Sequence, residues 1–103
     1  MSENKLDFAA LDWEISESGL KSKCFEKNGK RVRLLEHSST VREENWCDRA
    51  HCGYLVEGEL EIDFLETGKE IFRKGEGIFI EAGVKHKANS LTGKSLLFLV
   101  EEV

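Results

Sequence analysis

The sequence contains no proline, only three cysteines, no long apolar run and no excess of basic residues. With 40% apolar residues, 34% charged residues and nine glycines, a chain without proline is not of the disordered class and can fill a core. The cysteines are odd in number, none are spaced C-x-x-C, and a reducing compartment is inferred. A disulfide framework is therefore not expected, and Cys24, Cys47 and Cys52 read as free thiols or ligands. The 15 Lys and Arg are scattered and outnumbered by 20 Asp and Glu, for a net charge of −5, so no stripe exists to neutralise a nucleic-acid backbone. The longest apolar run, residues 96–100, falls far short of the roughly 20 residues that span a bilayer. Residues 1–12 lack the apolar stretch of a signal peptide. A soluble, cytoplasmic protein without nucleic-acid or membrane partners is expected, and 103 residues suit a single core.

What is present is a series of short β-rich segments separated by glycine turns at intervals of about eight to twelve residues, the pattern of an all-β domain. Segments 20–27 and 30–37 meet across Asn28-Gly29, two residues that tolerate positive φ and suit a tight hairpin. Residues 38–49 are polar and aperiodic and read as a loop feeding a strand at 50–57. Leu60, Ile62 and Phe64 alternate with Glu61 and Asp63, giving a strand with one wet face. Short strands follow at 70–73 and 77–80. Residues 95–103, carrying the apolar run, read as a strand buried on both faces or crossing between sheets. Residues 1–18, with Leu6, Phe8, Leu11, Trp13 and Ile15, form an N-terminal edge segment, either an edge strand or a short helix, ahead of a barrel domain at 19–103. So many short antiparallel strands must hide their edges, which a barrel or a two-sheet jelly roll does.

Two of the three histidines, His51 and His86, stand at strand ends beside turn glycines, where barrels open into ligand cavities. His51, Gly53, Leu55 and Glu57 share one strand parity, so His51 faces inward if Leu55 does. Cys47 precedes His51 by four residues with Asn45 nearby, and His86 can complete a donor set from another strand. Cys52 has the opposite parity and is expected to pack, as is Cys24. His37 is expected to be a surface or hydrogen-bonded residue without a chemical role. Trp13, Trp46, Tyr54, Phe64, Phe72, Phe79 and Phe98 are expected in the core, with Trp46 a candidate for the pocket mouth. Glu101-Glu102 reads as a solvated terminus. Neither a catalytic triad nor a phosphate loop is recognisable, since Gly75-Glu76-Gly77 lacks the remainder of a G-x-G-x-x-G pattern.

Residues 45–60 resemble the first cupin motif, in which H-x-H, three or four residues, E, six residues and G supply three metal ligands and a turn. Residues 75–90 resemble the second, G-x5-P-x-G-x2-H-x3-N, with Gly75, Gly83 and His86 in register, Glu81 in place of the Pro and Ser90 in place of the Asn. The resemblance implies a small single-domain cupin, an antiparallel double-stranded β-helix or jelly-roll barrel with one pocket. The family's first two His fall on Asn45 and Cys47, its Glu on His51 and its last His on His86, so one of four ligands is kept as written. Cys47, His51, His86 and Asn45 are the expected metal site, whose sulfur and nitrogen donors favour a divalent transition metal such as Zn, Fe or Ni over Mg. By resemblance the chemistry is of dioxygenase or isomerase type on a small polar metabolite. The alternatives are a metal-free cupin that binds or senses a small-molecule ligand without catalysis, and a structural or partner-binding subunit. A homodimer is expected.

Overall fold

The computed structural model describes residues 4–41 and 45–102. Within them are a 3-10 turn, Phe8–Ala10, and nine strands: β1 Glu14–Ile15, β2 Lys21–Lys27, β3 Lys30–Ser38, β4 His51–Glu57, β5 Glu59–Phe64, β6 Gly68–Arg73, β7 Gly77–Ile80, β8 His86–Ser90 and β9 Lys94–Glu102. All pair antiparallel. One sheet has the order β1-β2-β3-β9-β4-β7 and the other β6-β5-β8. This is the antiparallel jelly roll expected from the sequence.

The Asn28-Gly29 hairpin forms as its residues dictate: both take positive φ, 52° and 77°, and Lys27 pairs directly with Lys30. Alternation then sorts the side chains. Leu60 and Ile62 of β5 meet Leu35, Leu55, Ile78, Ile80, Leu97 and Leu99 of the larger sheet, so one apolar core lies between the two layers. The chain passes from one sheet to the other at Gly58, whose φ of 83° favours glycine; a Cβ there would lie 2.5 Å from the Lys94 carbonyl oxygen. Earlier in β4, a Cβ on Gly53 would meet the Phe98 carbonyl oxygen at 1.8 Å, so only glycine lets β4 lie this close to β9.

Several expectations need correction. β9 is not buried on both faces: Ser95, Leu97, Leu99 and Glu101 point inward, whereas Val100 is exposed. Trp13, Tyr54 and Phe79 are not core residues, Phe79 being 77% exposed. Tyr54 and Phe79 have the outward parity of their strands. The strand β8 had no counterpart in the sequence reading, because Lys87, Ala88, Asn89 and Ser90 carry no apolar alternation.

Of the N-terminal segment, β1 continues the larger sheet at its edge, and residues 7–13 lie on that sheet's outer face. Asp7 caps the 3-10 turn, accepting a hydrogen bond from the Ala9 amide at 3.0 Å. The Phe8 ring meets Phe98 edge-on at 6.2 Å. Lys23 donates to the Phe8 carbonyl at 2.9 Å and holds its ammonium 4.9 Å from the Trp13 ring.

Candidate metal centre

The inward positions of three adjacent strands end in a polar row. On β3, Arg31, Arg33, Leu35 and His37 share one parity, and register sets Arg31 against Glu101 and Arg33 against Leu99 of β9. On β4, His51 is half-buried, Cys52 is exposed and Leu55 is fully buried, as strand parity required. Glu101 is therefore no solvated terminus: it is only 6% exposed, because Leu97 and Leu99 face the core and the position two further on must follow them.

Its carboxylate is the hub of an ion-pair network. Arg31 Nε donates to Oε1 at 3.0 Å and Arg33 Nη2 to Oε2 at 2.9 Å. His51 Nδ1 stands 2.9 Å from Oε2. Burial alone would raise the pKa of this group. The His51 hydrogen bond, the Arg33 charge and both contacts with Arg31 outweigh it, and the carboxyl is lowered from 4.5 to about 2. An ionised carboxylate only accepts hydrogen bonds, so His51 donates to it from Nδ1, and in the neutral imidazole Nε2 keeps its lone pair.

That lone pair points toward Cys47, whose Sγ is 3.9 Å from His51 Nε2. Cys47 is fixed by two backbone hydrogen bonds with His86, each 2.9 Å, which tie the loop before β4 to the start of β8. The Gly83 amide adds a third tie, donating to the Asp48 carbonyl at 2.8 Å. His86 is buried, and its Nδ1 lies 2.8 Å from the Val84 carbonyl, so it too donates from Nδ1 and keeps Nε2 as a donor atom for a ligand. The two imidazoles stand edge to face with ring centres 5.1 Å apart.

One ligating atom from each of Cys47, His51 and His86 lies within 4.8 Å of the others. Bonds of ~2.3 Å to sulfur and ~2.0–2.1 Å to nitrogen would set tetrahedral donors roughly 3.5 Å apart, so small side-chain movements suffice to close the set on one ion. Each histidine already has the partner on its far nitrogen that metal-bound imidazoles use, a carboxylate for His51 and a carbonyl for His86. Asn45, the fourth residue of the expected site, is exposed in the loop and does not line the cavity.

The three donors open into a cavity of about 200 Å³ between the sheets. Its walls are largely core leucines and isoleucines, with Arg33, Arg49 and His37 as further polar members. His37 is 1% exposed, so it is a buried cavity residue and not a surface one. A wider groove of about 870 Å³ lies beyond His51 and Arg49, which line both spaces. Trp46 is half-buried under Lys87, whose ammonium is 4.7 Å from its ring, and is not among the residues lining the cavity. Cys24 is half-buried and Cys52 exposed; both are free thiols outside the site.

Solved structures identify the fold. KdgF from Halomonas sp. superposes with a TM-score of 0.77 at 20% identity, over 96% of this chain and 92% of that one. A RmlC-like cupin from Shewanella frigidimarina gives 0.73 at 18% identity over 99% and 93%. The fold is that of a small cupin. A cupin-2 domain protein from the same organism gives 0.65 at 21% identity, over 80% and 79%. No protein-family profile matches the sequence, and neither does any curated protein. Set on the cupin pattern, this chain has an imidazole, His51, where the motif carries a glutamate, and its buried carboxylate instead comes from Glu101 on the last strand. Arg33, Arg49 and Glu101 were missed by motif reading. Parity carried the signal for two of them, since Arg33 shares a face with Leu35 and Glu101 with Leu99.

Proposed function

We propose that this cupin binds a divalent transition metal through Cys47, His51 and His86 and uses the adjoining cavity to bind or act on a small polar metabolite. The observation that carries the reading is the convergence of three ligating atoms within 4.8 Å, with both histidines oriented from behind. A thiolate and two imidazoles suit Zn, Fe or Ni, and three protein ligands leave coordination positions for water or substrate. Bound there, the ion would polarise a carbonyl or carboxylate oxygen of the ligand. The chain's own part is to hold the imidazoles by Glu101 and Val84, to tie Cys47 to β8 and to surround the ligand with apolar walls.

A second reading, a metal-free cupin that binds its ligand without catalysis, is favoured by the replacement of three of the family's four ligands, at Asn45, Cys47 and His51. Metal analysis separates the two. Untagged protein reconstituted with Zn, Fe or Ni should retain roughly one ion per chain, and Cys47→Ser and His86→Ala should each reduce it. Wild-type protein that stays metal-free would remove the metal-centred reading and leave the binding one.

Pairing with a second copy belongs to the same proposal. Cross-strand neighbours Phe79, Cys52, Val100, Val32 and Phe25 form one apolar row across five strands of the outer face. The N-terminal segment covers Phe98 in the neighbouring row, while Phe79, Cys52 and Val100 stay exposed. A symmetric dimer would cover that surface.

A further inference from the structure

We infer that the ligand of the cavity is a small monocarboxylate, with its carboxylate held by Arg33 and Arg49 and its hydrocarbon part against the apolar walls. The inference rests on the reading of this cavity as the ligand site, and not on the metal.

Charge is the first argument. The chain as a whole is acidic, at −5, yet none of the described residues lining the cavity is an Asp or Glu. Two guanidinium groups, Arg33 and Arg49, line the cavity; Glu101 pairs with Arg33, so Arg49 leaves one uncompensated positive charge there before any metal is added. Glu81 and Glu102 lie in the outer groove and not in the cavity. An excess of positive charge at a largely apolar cavity is an electrostatic demand for an anion.

Unused donors are the second. Arg33 is mostly buried, at 17% side-chain exposure, and Glu101 engages its Nη2; its Nε is buried with no hydrogen-bond partner. A buried N–H left without an acceptor is destabilising, and a ligand oxygen would satisfy it. Arg49 is exposed and makes no ion pair among the described residues, so its fork is free to turn onto the same ligand from the cavity mouth.

Size and lining set the class. A space of about 200 Å³ is the volume of roughly seven water molecules at ~30 Å³ each, below the ~300 Å³ at which pockets for drug-sized ligands begin. Leu35, Leu60, Ile62, Ile78, Leu97 and Leu99 offer nothing to the oxygens of a bare phosphate but suit a few carbon atoms behind a carboxylate.

The test titrates butyrate, its neutral amide butyramide and inorganic phosphate into the full-length protein, once treated with chelator and once reconstituted with metal, following binding by calorimetry and ligand-observed NMR. Butyrate should bind in both forms and outcompete butyramide and phosphate. Arg49→Gln, at an exposed position that folding does not need, and Arg33→Lys should each weaken butyrate about tenfold, the loss expected for a charge-assisted hydrogen bond, and leave butyramide unchanged. Equal binding of butyramide, equal binding of phosphate, an unaltered Arg49→Gln or butyrate binding confined to the metal-loaded form would each overturn the proposal. A protein that holds no metal yet binds butyrate through the arginines would refute the metal centre and leave this inference standing.

Discussion

Glu101 holds the site together at the scale of single side chains, since one carboxylate fixes the tautomer of His51 and offsets the charges of Arg31 and Arg33. Its depressed pKa is also a statement about stability. A carboxyl at about 2 in the fold and near 4.5 when exposed contributes on the order of 3 kcal/mol above pH 5, and that contribution is lost as pH falls from there through 2. Urea unfolding between pH 7 and 2 should show the decline, and Glu101→Gln should be both less stable at pH 7 and flatter over this range. A wild-type profile without slope below pH 5 would contradict it. None of this is visible in the motif reading, where Glu101 stands beside another glutamate near the end of the chain. It emerges only when parity is continued from Leu97 and Leu99, because burial of a charge depends on a register that charge patterning does not encode. The inward orientation of His51, in contrast, could be read directly from Leu55 four residues on.

Elements were legible in proportion to how strictly they alternate or turn. The Asn28-Gly29 hairpin and β5 carry their geometry in their residues, whereas β8 is held by its neighbours: β5 along its length and Cys47 at its first residue. In β4 the decisive residue is the one with no side chain. Gly53→Ala would drive a methyl group into the Phe98 carbonyl and push β4 away from β9, and with it His51 away from Glu101. A loss of about 1–3 kcal/mol in chemical denaturation is expected, of the size seen for overpacked cores, together with weaker metal retention. An unchanged midpoint would mean that the two strands can separate at no expense.

At the scale of the whole molecule, the alternation that placed the core also left aromatic residues outside. Reading aromatics as interior failed for Tyr54 and Phe79 because hydrophobicity alone does not choose a face, and their strand parity turns both outward. Light scattering at micromolar concentration should give the mass of two chains, and Phe79→Asp should shift it toward one while leaving the far-ultraviolet spectrum unchanged. A monomeric wild type would end the dimer proposal.

The bridge between Cys47 and His86 bears on when the centre comes into being. Cys47 and His51 are near neighbours in sequence, but His86 and Glu101 reach them only after β8 has docked on β5 and β9 has slotted between β3 and β4. Contacts this distant along the chain are slow to close and form late. An ion or ligand arriving at the growing barrel would find two donors and no pocket, so one bound at this site would act as a latch on the finished barrel and not as a nucleus for its assembly.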